Sequence, residues 1–302
     1  MVRVISSACH IKQDKHWIVC VNKDSDEEMR LHPDDIDFLV VEHYSSTYTH
    51  QVLQLIANAN IQFILCGKNH HPLALLQPIQ NNHLSTQRLW LQIEQSIPSR
   101  KNLWKQIIQK KIVNQASVLT FYHKEGGKQL SHLSKKVVSG DKSNIEGQAA
   151  ALYWKNLFGI SFRRARDGKA PNNQLNYGYA ILRAAISKSL VGTGLNPAIG
   201  LYHSNRSNAF CLTDDLMEVF RPWVDLCVYK LFYLRKKVEV DKEVKQQLIS
   251  LLDEDVLIAK EQKRMLNAID HLVYSYLEII SSKKKRLQMP ILYVSGDTKR
   301  VS

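Results

Sequence analysis

The stretch "HHPLALLQPIQNNH", residues 70–83, divides this chain. Its two prolines and polar tail end one kind of patterning and open another, so a boundary is expected near residue 80. Before it the sequence reads as β-rich. "HWIVCV" (16–21), "IDFLVVE" (36–42) and "IQFILCG" (61–67) are short apolar, β-branched runs bounded by polar residues or glycine. Between the last two, "THQVLQLIANAN" (49–60) places Val52, Leu53, Leu55 and Ile56 near helical spacing. After the boundary the pattern turns helical. "STQRLWLQIEQSI" begins with a Ser/Thr cap candidate, and "SRKNLWKQIIQKKIVNQASVL" (99–119) is basic and amphipathic. Helices are also expected over 143–159, 175–194, 213–232 (with Pro222 a kink or break), "DKEVKQQLISLLDE" and "IAKEQKRMLNAIDHLVYSYLEIISS". The expectation is an α+β protein: a small β-rich domain over 1–80, then a larger all-α domain over 81–302.

The 302 residues carry 41 Lys and Arg against 28 Asp and Glu, a formal charge of +13. The first eighty hold six basic and nine acidic residues, so residues 81–302 hold 35 and 19, a net of +16. That concentration suggests a polyanion-binding surface in the helical part, with nucleic acid favoured over a merely solvated surface. The five cysteines are odd in number and form no CxxC pair, which argues against a disulfide framework or thiolate zinc site and fits a reducing cytoplasm. No secretory signal is visible and no run reaches 18 apolar residues, so no membrane span is expected.

Chemistry concentrates in "YHSNRSNAFCLTDDLMEVFRPW", residues 202–223. Asp215 and Glu218 are three apart, so a helix presents both carboxylates on one face. His203 lies twelve residues earlier, and Glu146 opens another expected helix. Three acids and one imidazole suit Mg²⁺ or Mn²⁺ better than structural zinc. The competing reading is plain: Ser143 to Glu146 fits a capping box, Asp215 to Glu218 imitates the spacing, and spacing alone favours the caps. "FRRARDGK" supplies Arg163, Arg164, Arg166 and Lys169, a cluster suited to phosphate. Arg206 lies in the quoted stretch, and Lys283, Lys284, Lys285 and Arg286 form a second basic patch or a solvated helix end. Arg221 is an i, i+3 partner for Glu218.

"EGQAAALYWKNLFG", "LNYGYAILRAAI", "GLYHSNRSNAFCLTDDLMEVFRP" and "HHPLALLQPIQNNHLSTQRLWLQI" together resemble the CRISPR-associated integrase family, in the form found in type II systems, over about residues 5–290. The resemblance implies a β-rich dimerisation domain and a helical catalytic domain with metal ligands Glu146, His203 and Glu218. Asp215 matches an acid that is a ligand in some branches. The implied activity joins the 3′-hydroxyl ends of a spacer-precursor duplex to a repeat by transesterification. The implied partners are double-stranded DNA, a second copy of the chain, and a small ferredoxin-like adaptation protein that completes a heterohexamer. Less firmly, it implies the type II effector nuclease and a DNA-end-binding ring protein. Tyr177 falls in a motif near the family's active site, as a substrate contact or a core residue. Two departures stand out: Tyr202 replaces a common second His, and Ser204 a common basic residue. The alternatives are a metal-dependent endonuclease acting on branched or single-stranded DNA, and a non-catalytic DNA-binding scaffold.

Overall fold

The computed structural model describes residues 1–67, 72–76, 82–165, 168–282 and 284–293, with only the backbone of Pro72. The chain forms two units: Met1–Asn81 with Asp241–Ser250, and Asn82–Val240 with Leu251–Ser302.

The first unit holds two four-stranded sheets. β1 (Val2–Ile5), β5 (Phe38–Val41) and β7 (Gln62–Cys66) run parallel, and β8 (Pro72–Leu76) pairs antiparallel to β7. β5 is buried at all four positions, as an apolar run in the middle of a parallel sheet should be. The second sheet has the order β4 (Glu28–Leu31), β3 (Trp17–Asn22), β2 (Cys9–Asp14), β6 (Thr47–Tyr48). Helix α1 (His50–Asn58), capped by the Thr49 hydroxyl on Val52 N, packs against β2 and β7. Ile11, Ile18, Leu39, Val41, Val52, Ile56 and Phe63 form the core that these elements share.

Among its described residues the second unit is helical apart from one hairpin. Its elements are α2 (Ser85–Glu94), α3 (Ile97–Phe121), α4 (Gly127–Lys136), α5 (Ile145–Phe158), α6 (Asn172–Gly192), α7 (Cys211–Met217), α8 (Arg221–Tyr229) and α10 (Met265–Ser281). Long α3 lies centrally, touching α4, α5, α7 and α8. The helix expected over 213–232 divides in two: Pro222 cannot donate a backbone bond, so the chain restarts as α8 with Pro in its first turn. The helix expected from residue 258 begins only at Met265. Residues before it form a hairpin, β9 (Asp255–Ile258) and β10 (Glu261–Arg264), closed by Ala259 and Lys260 in the left-handed region.

Helix α9 (Lys242–Ser250) departs from the expected 81–302 domain and belongs to the first unit. It buries Val244 and Leu248, and Lys245 Nζ sits 3.0 Å from the buried Glu42 carboxylate, which also accepts from Ser6 Oγ. Among the described residues, no helix is long and apolar enough to cross a membrane.

Candidate active site

Glu146 stands in the first turn of α5, but it does not cap that helix. Asn144 is the N-cap, accepting from Gly147 N, and the Asp141 carboxylate accepts from Ile145 N and Glu146 N at 2.9 Å. The capping-box reading of Ser143–Glu146 is therefore corrected: the end is capped by other residues, and the Glu146 side chain is free to turn away. It turns to Lys111 of α3, whose Nζ lies 2.6 Å from Glu146 Oε1. The same ammonium is 2.7 Å from Glu218 Oε2. Glu218 occupies the short bridge between α7 and α8 opened by Pro222, and its other oxygen meets Arg221 Nε at 2.9 Å. Two carboxylates from different parts of the chain thus share one cation position, and Lys111, only 8 % exposed, fills it.

Electrostatics follow from that geometry. Burial alone would raise the Glu218 carboxyl, but Arg221 and Lys111 outweigh it and hold it below the usual carboxylate range. Burial would lower the Lys111 ammonium, and Glu218 and Glu146 raise it instead. Buried Glu218 therefore meets a cation at each oxygen, Lys111 at Oε2 and Arg221 at Oε1.

His203 comes from the loop ahead of α7. Its Nδ1 lies 2.6 Å from Asp215 Oδ1. An ionised carboxylate only accepts, so Nδ1 carries the proton and, in the neutral ring, Nε2 keeps its lone pair. The Asp215 hydrogen bond raises the His203 pKa against the opposing effect of burial, and the charges of Asp215, Glu218 and Asp214 add to the rise. Asp215 is 0 % exposed, and its second oxygen accepts from Leu201 N at 2.6 Å and Tyr202 N at 3.0 Å. The acid therefore sits behind the histidine, wrapped by the 201–203 backbone. Gly200 permits the wrap: a Cβ there would lie 2.3 Å from His203 O and 3.0 Å from Asp215 Oδ2. Tyr202 stacks flat on buried Trp104, ring centroids 4.4 Å apart, and His203 meets the same Trp edge-on.

Basic residues surround this cluster unevenly. Arg221 lies over the Tyr179 ring at 4.5 Å and Arg164 over the same ring at 5.2 Å. Tyr179 and Tyr153 donate to buried Asp225, whose carboxyl burial pushes up to about 6 against the pull of those hydroxyls and of Arg221 and Arg164. Arg183 of α6 forks onto Asp214 at 2.8 and 2.9 Å. Arg164 also donates to Asn172 and Asn176 and is part-buried, whereas Arg163, Lys169 and Arg206 are exposed. Lys284, Lys285 and Arg286 are exposed, with Lys284 paired to Glu278. Arg166 and Lys283 lie outside the described residues. Tyr177 is 1 % exposed, so the substrate contact is corrected to a core position. Its helix neighbour Tyr179 is the aromatic that faces the arginines.

Among the described residues, no three His, Cys, Asp or Glu side chains stand in the arrangement of a formed metal site. The donor chemistry nevertheless fits a hard divalent cation: two carboxylates already converge on a positive charge, and the His203 ring, held at Nδ1 by Asp215, keeps Nε2 as a further donor. Sequence reasoning missed Lys111, Arg183, Tyr179 and Gly200. Only Lys111 left a trace, as one of two adjacent lysines on the basic helix.

Fold and cluster together define a mixed α+β protein with acids gathered about a cation position in its helical unit. The chain matches the family model described as CRISPR associated protein Cas1 over residues 2–259, and it belongs to that family. It is 36 % identical to the CRISPR-associated endonuclease Cas1 of Neisseria meningitidis serogroup C (strain 8013) over 260 residues, 85 % of each chain. Its fold matches that of a casposase bound to integration product with TM-score 0.80 and 20 % identity, covering 95 % of this chain and 92 % of the other. It also matches a chain in a Cas6-RT-Cas1–Cas2 complex, with TM-score 0.74 and 17 % identity, covering 94 % of this chain and 35 % of that one.

Proposed function

We propose that this chain is a metal-dependent DNA integrase of CRISPR adaptation, of the type II kind, joining 3′-hydroxyl ends of a spacer-precursor duplex to a repeat. One observation carries the reading: Glu146 and Glu218, 72 positions apart in sequence, converge on a single cation position, now filled by Lys111. Glu146, His203 and Glu218 would hold Mg²⁺ or Mn²⁺, which supplies Lewis-acid stabilisation of charge developing at phosphorus. Asp215 takes the orienting role rather than that of a ligand, since its oxygens are engaged by His203 and the loop backbone. It keeps the proton on Nδ1 and aims Nε2 into the site. Arg221 neutralises Glu218 and, with Arg164, is held in place by Tyr179. Both cations would take phosphate oxygens of the bound strand.

In the reaction the terminal hydroxyl oxygen forms a new bond to phosphorus and the repeat's own P–O bond breaks. The proton lost by the attacking hydroxyl ends on the departing one. One phosphodiester replaces another, so no nucleotide cofactor is consumed. Pairing of two copies through the β-rich unit, and docking of the small ferredoxin-like partner as a heterohexamer, belong to the same reading. The Cas1–Cas2 complex among structures of this fold supports that partnership. Engagement of the type II effector nuclease and the end-binding ring protein completes it.

The test is strand joining in Mn²⁺ or Mg²⁺ with Glu146→Gln, His203→Ala and Glu218→Gln, each checked for folding. Joined products should vanish while DNA binding persists. Wild-type joining by all three variants would overturn the assignment. Hydrolytic release of new ends without joined strands would favour the endonuclease reading, which the name of the Neisseria relative supports.

A further inference from the structure

Helix α3 carries a second charged site on another face. Lys110 and Lys111 are adjacent, so their side chains leave the helix about 100° apart. Lys111 enters the carboxylate cluster. Lys110 lines a separate cleft of about 470 Å³ together with Lys105, Gln109, Asn102, Lys285 and Arg286. Four cations converge there, and no lining residue is acidic. Among the described residues, none of the four lies within ion-pair distance of a carboxylate.

The convergence is built into the backbone. After α10 the chain turns back along α3 and is pinned at successive points. Gln106 donates to Lys285 O at 2.8 Å and accepts from Leu287 N at 3.0 Å, using both ends of its amide. Gln288 N donates to Ser275 Oγ at 3.1 Å. Buried Asn114 donates to Pro290 O at 3.2 Å and accepts from Leu292 N at 3.1 Å. Lys285 and Arg286 are thereby fixed beside Lys105 and Lys110. A solvated helix end would let its cations spread apart, whereas here a hydrogen-bonded strap holds like charges together. Burial lowers the Lys110 pKa with no carboxylate to offset it, as expected of a group whose counter-charge comes from outside the chain.

We propose that this cleft binds the sugar–phosphate backbone of one nucleic-acid strand, as a positioning site separate from the carboxylate cluster on the same helix. Its volume is far too small to admit a duplex, and its four cations with no acid match phosphate charge, a contact that positions a strand without reading its sequence. Four cations suit two or three phosphates. An unpaired strand and the edge of a duplex present the same chemistry, and the test separates them. The proposal rests on the nucleic-acid reading above but needs no catalysis.

The experiment measures DNA affinity against salt in EDTA with the full chain. The cleft variant is Lys105→Gln/Lys110→Gln/Lys285→Gln/Arg286→Gln. The charge-matched control is Lys128→Gln/Lys135→Gln/Lys136→Gln/Lys155→Gln, at exposed positions on α4 and α5. Losing two or three phosphate contacts at ~0.7 each flattens the single-strand salt slope by roughly 1.5–2, and weakens binding roughly 20- to 100-fold at about 0.1 M salt. The control keeps the wild-type slope. An effect on single strands alone assigns an unpaired strand; an effect on duplex as well assigns a duplex edge. Wild-type slope and affinity for both DNAs, or an equal loss in the control, overturns the cleft. Failure of the integrase reading shows differently, as intact DNA binding without joined products.

Discussion

Lys111→Met tests the cation position directly. The substitution keeps most of the buried stem and removes the charge. It leaves Glu146 without its ammonium at 2.6 Å and Glu218 without its contact at 2.7 Å. Removing one member of a buried ion pair costs about 3–5 kcal/mol. The lower end applies here, because Arg221 still contacts Glu218 at 2.9 Å and the Glu146 side chain is 27 % exposed. A loss of about 3 kcal/mol lowers Tm by roughly 6–12 °C for a unit of this size. Divalent metal should reverse the penalty. In the wild type an entering cation must displace Lys111 from its carboxylates, forfeiting a charged hydrogen bond of about 1.5–3 kcal/mol. The variant has nothing to displace, so Mn²⁺ should bind it ~10- to 100-fold more tightly. Calorimetric Tm in EDTA and in MnCl₂, with direct titration of Mn²⁺, reads both effects. If Mn²⁺ raises Tm equally in both proteins and titrates with the same affinity, Lys111 does not occupy the cation's place and the reasoning fails.

Other predictions follow from the same contacts. Asp215→Asn should shift His203 from its Nδ1-protonated tautomer, read by imidazole nitrogen chemical shifts, and slow strand joining roughly 10- to 100-fold; unchanged shifts would refute it. Gly200→Ala should break the 201–203 wrap and abolish joining, since the new methyl meets backbone oxygen at 2.3 Å; a variant of wild-type activity would contradict the close approach. Lys245→Met strands buried Glu42 and should cost about 3–5 kcal/mol, measured as a lower midpoint in urea. Asp225 gives a pH signature. Its folded pKa of about 6 exceeds the unfolded ~3.9, so its stabilising contribution is present below pH ~4 and is lost as pH rises through 6, by roughly 3 kcal/mol. Relative to the wild type, Asp225→Asn should therefore gain Tm from pH 4 to about 6.5 and then level off. A pH-independent difference would overturn this.

What the sequence disclosed depends on how local the cause was. The runs at 36–42 and 61–67 were legible because strands buried in a parallel sheet need apolar β-branched residues throughout. The hairpin at 255–264 was not: Ala259 and Lys260 take positive φ without the Gly or Asn that announces such a turn, and the helical reading ran through them. Helix α9 was visible as a helix, but its membership in the β-rich unit rests on Lys245 meeting Glu42, 203 positions away. The acids and histidine could be singled out by type, and the four resembling motifs singled out Glu146, His203 and Glu218. Spacing alone preferred a capping role that Asn144 and Asp141 in fact perform. Lys111 marks the limit most sharply. In "KKIVNQ" two adjacent lysines carry the same charge and read alike, yet one enters the acid cluster and the other an acid-free cleft. Only the rotation of α3 against α5 and α8 separates them, and that rotation is set by Leu103, Trp104, Ile107, Ile108 and Ile112 packing in the core. The apolar residues of α3 therefore decide which of its cations stands between the carboxylates, so a core substitution that turned the helix would change the site without touching any residue in it.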